Sequence, residues 1–301
     1  ADYYRKKTTD LLNNVEMPRS SGYTTALRNI GSIRNSGFEL QLDGRIIDRA
    51  VKWDLGVNFS LNRSKVLVLS EDKDIFGGEL DNTILKDQLN LMRVGEPMYV
   101  FYGYVEDGYD ENGHIVYKNM DDDPAITAAD KTIIGDPNPD FLVNLTTAVS
   151  YKGFTLSAFF QSSIGNDIYS LSMAAQAYDY GYNGNTLREV YYNHWTPENP
   201  TAKYPNLDQT SYKMSDRFVY DGSFVRLKNL ELAYDVPCAR SKFIKRARAY
   251  VSAQNLFTIT SYPFWDPDIN ANGGGSSMIQ GVDSYCYPSA RTYTIGCRLT
   301  F

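Results

Sequence analysis

The amino-acid sequence predicts an all-β chain whose antiparallel strands cross a lipid bilayer as part of a transmembrane β-barrel. Three observations carry this expectation. Apolar and polar residues alternate with period two over stretches of about a dozen residues, longer than the five or six of an ordinary strand. The links between those stretches are alternately short and long, as in barrels with short turns on one side and long loops on the other. The 24 tyrosines, with plentiful Gly, Asn and Asp and little helical periodicity, are the composition of a turn-rich β protein.

Eight strands are predicted, near 1–12, 34–48, 51–66, 140–151, 153–163, 218–236, 247–260 and 290–301. The first residues, "ADYYRKKTTDLL", already read as a strand in progress. In the second, Phe38, Leu40, Leu42 and Ile46 alternate with Glu39, Gln41, Asp43 and Arg45. The third, "VKWDLGVNFSLN", is the clearest, with Val51, Trp53, Leu55, Val57, Phe59 and Leu61 in one phase and Lys52, Asp54, Gly56, Asn58, Ser60 and Asn62 in the other. Its length meets the roughly 9–11 tilted residues that a bilayer-crossing strand requires.

The fourth strand places Phe141, Val143, Leu145, Val149 and Tyr151 on one face, and after Lys152 and Gly153 the fifth continues with Phe154, Leu156, Ala158 and Phe160. In the sixth, Val225 and Leu227 share one phase while Leu230, Leu232 and Tyr234 share the other, which predicts a β-bulge near Lys228 and Asn229. The seventh is less regular, with Ala249, Val251 and Ala253 opposite Tyr250, Ser252 and Gln254. The eighth sets Tyr293, Ile295, Cys297, Leu299 and Phe301 against Thr292, Thr294, Gly296, Arg298 and Thr300.

Long links fall at about 13–33, 67–139, 164–217 and 261–289. In an outer-membrane barrel these are extracellular loops, and parity then puts the C-terminus on the periplasmic side. A soluble β-sandwich also alternates, but loops of about 30–70 residues confined to one side are unusual for it.

No window approaches the roughly 18 apolar residues of a spanning helix, and no charged stretch leads into an apolar run, so no signal peptide is visible. Residues 67–139 hold 16 acidic and 5 basic side chains, an acidic insertion that repels nucleic acid and attracts divalent cations. Cys238, Cys286 and Cys297 lie far apart, which argues against a disulfide framework or zinc site and predicts free thiols.

Catalysis has little to stand on. His114 and His194, the two histidines, fall in loops and belong to no nucleophile motif, so no enzyme is expected. "NMDDDPAITAAD" (119–130) reads as a degenerate calcium loop, with Asn119, Asp121, Asp123, Thr127 and Asp130 at alternate ligand positions and Ala125 offering a carbonyl. Asn119 replaces the usual Asp, and Pro124 stands where Gly permits the sharp turn. No cofactor is required, and a weakly held Ca2+ in loop 119–130 is the one candidate; an acidic solvated loop explains the same residues. Tyr178, Tyr180, Tyr182, Tyr191, Tyr192 and Trp195 are candidate contacts for cargo or for a lid protein, and equally suit loop packing, as do Phe264 and Trp265. The polar phase, with Glu39, Asp43, Lys52, Asp54, Asn58 and Arg298, is expected to line the lumen.

Five segments, "NIGSIRNSGFELQL" (29–42), "TIIGDPNPDF" (132–141), "FVYDGSFVRLKNLELAYDVP" (218–237), "SAQNLFTIT" (252–260) and "YPSARTYTIGCRLTF" (287–301), resemble in order and spacing the C-terminal half of SusC/RagA-like TonB-dependent transporters. The resemblance implies a 22-stranded outer-membrane barrel around an N-terminal plug. It further implies a SusD-like surface lipoprotein as cap, energy relayed by the TonB complex through the missing N-terminal region, and import of oligosaccharides or peptides. Outer-membrane lipids and the barrel assembly machinery are the remaining partners, with Phe301 resembling the barrel-assembly signal. About eight strands without a plug leave open edges that lipid does not tolerate, so the sequence is expected to be the C-terminal barrel portion of a longer protein. The alternative is a small closed barrel acting as an adhesin or carrying an enzyme in its loops.

Overall fold

The computed structural model describes residues 1–16, 25–69, 73–81, 85–178, 185–238, 243–269 and 279–301. The eight expected strands are present as β1 (Asp2–Glu16), β2 (Thr25–Asp48), β3 (Val51–Leu69), β4 (Phe141–Tyr151), β5 (Phe154–Ile164), β6 (Phe224–Val236), β7 (Arg246–Thr260) and β8 (Thr292–Thr300). They form one sheet in chain order with every neighbouring pair antiparallel. β1 and β8 are its two edges. The strands therefore do not close on themselves, and the small closed barrel held as the alternative is not formed.

The register aligns the two phases into continuous rows. Ile47, Trp53, Val149, Leu156, Leu232, Val251 and Ile295 are consecutive cross-strand partners over seven strands. On the opposite face Gln41, Asn58, Asn144, Gln161, Arg226 and Thr258 run side by side. The apolar row is the bare one, with Leu156 48%, Leu232 44% and Val251 46% exposed, whereas Arg226 in the polar row is 1% exposed. A soluble sandwich would do the reverse, because water penalises an uncovered apolar sheet face.

On β4 and β5 two polar residues fall in the apolar phase, and both are satisfied within the sheet, as a hydrocarbon environment requires. Thr147 Oγ1 accepts the indole N–H of Trp53 at 2.9 Å, and Ser162 Oγ donates to the Val143 carbonyl at 2.5 Å. Aromatic side chains bracket the apolar band. Phe38, Phe59 and Phe141 lie ring to ring toward the long-loop end, and Phe154 meets Tyr234 at 4.5 Å, with Tyr151 beside Phe154, at the short-turn end. From Phe141 to Tyr151 is about 33 Å of strand, which at the usual tilt spans the roughly 25 Å band of an outer-membrane barrel.

The β4–β5 hairpin turns through Lys152 and Gly153, both at positive φ (46° and 85°). This is the type I′ turn whose twist matches that of the strands. The expected bulge is present: between Leu227 and Asn229 the register slips against both β5 and β7, leaving Lys228 outside the ladders.

Two strand starts differ from expectation by more than a residue or two, and β1 and β3 run on to Glu16 and Leu69. β2 begins at Thr25 rather than near 34 because it continues to pair with Leu11–Glu16 of β1. Period-two hydrophobicity is written only where one face meets an apolar medium, so a ladder that runs on beyond it leaves no such signal. β6 begins at Phe224 rather than 218, since Val219–Asp221 pairs with Asp167–Tyr169 instead. Gly222 turns the chain out of the large sheet, its N–H donating to the Asn166 carbonyl at 2.8 Å.

Three of the long connections expected as loops, those near 67–139, 164–217 and 261–289, instead pack into one layer that holds the main hydrophobic core. They carry several two- to four-residue strands and the helices α1 (Leu171–Tyr178) and α2 (Arg188–Tyr192). The core joins Leu89, Phe101 and Tyr117 from the first connection to Tyr169, Tyr178, Tyr204, Met214 and Phe218 from the second and Val282 from the third. Polar ties hold the three together. Asn90 exchanges hydrogen bonds with the Gln280 backbone. Glu106 accepts from Ser215 (2.6 Å) and from Arg217 Nε (2.7 Å). Asp283, 1% exposed, accepts from the Tyr262 hydroxyl at 2.6 Å and from Ser172 at 3.2 Å.

Candidate functional site

The polar face of the sheet and the loop layer folded against it are the surfaces a solute can meet. Arg226 is their junction. Its Nε donates to Thr258 Oγ1 on β7 at 2.9 Å, its Nη1 to Asp268 and Ser289 at 3.3 Å each, and its Nη2 to Asp266. Asp266 also accepts the backbone N–H groups of Asp268 and Ser289, both at 2.9 Å. Burial works against the Asp266 charge, yet those N–H groups and the guanidinium outweigh it and hold the carboxyl below its usual value. The third connection is thereby clamped across β6 and β7.

Next to the clamp, a crevice of about 280 Å³ separates the polar row from the loops, lined among others by Asn144, Gln161, Asn166 and Asp268. Asp167 stands nearby and accepts the Asp136 N–H at 2.8 Å. Burial raises its pKa more than that bond lowers it, and the charges of Asp136, Asp221 and Asp140 add to the rise. In the second connection desolvation disfavours the Arg217 charge, but Glu106 and the surrounding tyrosines more than restore it. Further along the wall, Arg45 Nε and Asp54 Oδ1 pair at 2.8 Å, both about half exposed. Such a pair contributes little stability and leaves both charges available to solutes.

The six aromatic candidates divide. Tyr178 is a core residue rather than a surface contact: it is 4% exposed and stacks on Tyr212 at 3.7 Å. Trp195 is half-buried over Gly113, where an added Cβ would stand 2.3 Å from the indole. Tyr191 and Tyr192 are exposed on α2, edge to face at 5.2 Å. Tyr180 and Tyr182 lie outside the described residues.

In loop 119–130 each expected ligand accepts a backbone N–H. Asn119 Oδ1, Asp121 Oδ1 and Asp123 Oδ1 accept the N–H groups of Asp121, Asp123 and Ala125 in a ladder of Asx turns. The side chain of Asp130 is enclosed and accepts from Met120 and Thr127 at 2.7 Å each, which lowers its pKa. Thr127 Oγ1 caps the Ala129 N–H. Among the described residues no group of three or more His, Cys, Asp or Glu side chains could hold a metal ion.

His114 Nε2 lies 2.8 Å from Asp208 and His194 Nδ1 2.7 Å from the Tyr191 carbonyl, both as loop contacts. Cys238, Cys286 and Cys297 are unpaired thiols, and Phe301 follows β8 with its ring largely exposed. Among the described residues no helix is long and apolar enough to cross a membrane. The clamp was missed by sequence reasoning. Its signal was there to read: a charged residue between Val225 and Leu227 in the polar phase, and the acidic pair Asp266 and Asp268 in "WDPD".

No family model matches the chain. TonB-dependent receptor P3 of Formosa agariphila is 33% identical over 100% of this chain, which covers 32% of that protein. TonB-dependent receptor SusC of Bacteroides thetaiotaomicron is 29% identical, again over 100% of this chain and 30% of the relative. The RagAB peptide transporter superposes with a TM-score of 0.80 at 26% identity, over 99% of this chain and 32% of its own. The closed-closed RagAB peptide importer gives 0.82 at 26% identity, over 99% and 33%. These relatives are receptors and transporters rather than enzymes, and the chain spans about a third of their length.

Proposed function

The chain belongs to the SusC/RagA-like TonB-dependent receptors over the third of those proteins that it spans, and from that premise we propose that the protein containing it imports oligosaccharides or peptides across the bacterial outer membrane with energy relayed by TonB. In this reading the chain supplies the C-terminal part of the barrel wall and its extracellular loop layer. One observation supports it most: the apolar row is largely bare over seven strands, while on the polar face Arg226 is enclosed beneath the loop layer. That distribution suits lipid outside and a filled polar lumen inside.

The edges β1 and β8 pair with further strands of the same barrel, since unpaired backbone groups are costly in hydrocarbon. The C-terminus lies on the periplasmic side, and a SusD-like lipoprotein caps the loop layer, where Tyr191 and Tyr192 are the exposed aromatic anchors. Calcium at loop 119–130 belongs to the same reading as an accessory of the loop layer, using the carboxylate lone pairs that the Asx turns leave open.

Deleting the gene for the full-length protein should abolish energised uptake of its cargo, and deleting tonB should do the same. Uptake by the wild-type strain that persists without TonB would overturn the proposal.

A further inference from the structure

We propose that a cavity between β7 and the segment carrying Trp265 is a subsite for one pyranose ring of the cargo; the proposal rests on the import reading above and deepens it. The cavity measures about 360 Å³ and is lined by Asn255, Trp265 and Arg291 around the Arg226 clamp, with Pro267 and Pro288 in its wall. That volume is at the small end of ligand sites and suits one ring rather than an extended segment.

Four features point to a ligand. Asn255 breaks the regularity of β7: it has a φ of 51° and sits where the register against β6 slips. Bulges of this kind re-aim a side chain, and Asn is a residue that tolerates the left-handed backbone this one requires. Its Nδ2 donates to the Ala290 carbonyl at 2.9 Å, which orients the amide. Its Oδ1 is left without a donor, and a rotation of the amide that uncovers it would let a ligand hydroxyl complete it. Trp265 has one face stacked on Phe264 at 4.7 Å and 18°, while the indole remains 55% exposed. A backed, solvent-facing indole is a rigid platform for the flat C–H face of a sugar ring.

Arg291 is exposed and supplies only donors, which suit ring and hydroxyl oxygens. The clamp beneath holds Arg226 and Asp266 in place, so the floor of the site is formed before the ligand arrives. The two prolines carry no N–H. The cavity therefore offers a peptide main chain a poor ladder and recognises its occupant through an amide, a guanidinium and an aromatic face. A pyranose presents the matching donor, acceptor and C–H face in one compact unit.

The test uses the full-length receptor in detergent, an array of defined short neutral and acidic oligosaccharides, and tryptic peptides of casein as the competing class. Oligosaccharide binding is expected, with Trp265→Ala and Asn255→Ala each weakening the best array member about tenfold or more in calorimetry. Trp265→Phe should retain most of the affinity, and the folded heat-modifiable band should stay unchanged in all three. Binding of peptides alone, binding of no oligosaccharide, or wild-type affinity in both alanine variants overturns the subsite. Cellular uptake separates the two claims: TonB-dependent import with unaltered binding by the alanine variants sinks the subsite alone, whereas absence of TonB-dependent import sinks the parent reading.

Discussion

Arg226 carries a charge on a spanning strand and is nonetheless almost wholly enclosed, because the connection that covers it brings Asp266, Asp268 and Ser289 to its guanidinium. Arg226→Met would leave Asp266 enclosed without its cation. Removing one partner of a buried pair costs about 3–5 kcal/mol, so faster amide hydrogen exchange at Asp268 and Ser289 is expected. Adding Asp266→Leu to Arg226→Met should recover much of the lost stability but not that protection, since it removes the acceptor of both N–H groups. The clamp also carries a pH dependence whose sign follows from the lowered Asp266 pKa. A depressed carboxyl contributes stability that is full above the unfolded value of about 3.9 and is lost as pH falls through the lower folded value. Protection of Ser289 should therefore be equal at pH 7 and pH 5 and vanish only below about pH 4; loss already at pH 5 would assign the protection to another group. Gly296 illustrates a second residue-level constraint. It faces Tyr250 across the β7–β8 pair, and a Cβ there would lie 2.5 Å from the tyrosine ring.

At the scale of elements, the bulge in β6 reconciles two phases in one strand. Phe224–Leu227 and Asn229–Val236 point their apolar residues the same way only because Lys228 is an extra residue between them. Deleting Lys228 leaves regular alternation on both sides and should still permit assembly, at reduced stability. Deleting Lys228 and Leu230 together shifts the N-terminal half of the strand by one residue, which turns Arg226 toward lipid. An arginine on the lipid face costs about 2–4 kcal/mol at the midplane, and its acidic partners would be left behind. The heat-modifiable barrel band of the full-length protein should therefore survive the first deletion and disappear with the second. Equal outcomes would show that the bulge does not set the phase. The connections obey a different rule: they are elements only in company, since Leu89, Tyr169 and Val282 each come from a different one and are buried only when all three pack together.

Over the whole molecule, the apolar and polar rows make neighbouring residues of one strand unequal. Val251→Arg places a charge at the centre of the apolar row and should lower outer-membrane levels, whereas Ser252→Arg, one residue on and facing the polar side, should be tolerated; quantitative blotting of outer-membrane fractions distinguishes them. Much of this was legible in the chain. Period-two alternation is a local property, so eight strands, their facing and the bulge near Lys228 could be read without any partner strand in view. The same logic failed where no apolar medium imprints the pattern, as in the upper part of β2 from Thr25, and at Val219–Asp221, which pairs outside the large sheet. It also failed for Tyr178, because a tyrosine among tyrosines shows nothing of its burial until Tyr212 and Phe218 are brought to it from more than thirty residues away. The sequence by itself thus determined the strands and which side of each prefers lipid, since that depends on residues two apart. Only the tertiary structure decided that the long connections share a core, that Asp266 closes over Arg226, and that Asn255, Trp265 and Arg291 meet around one cavity, because those outcomes rest on contacts between segments distant in the chain.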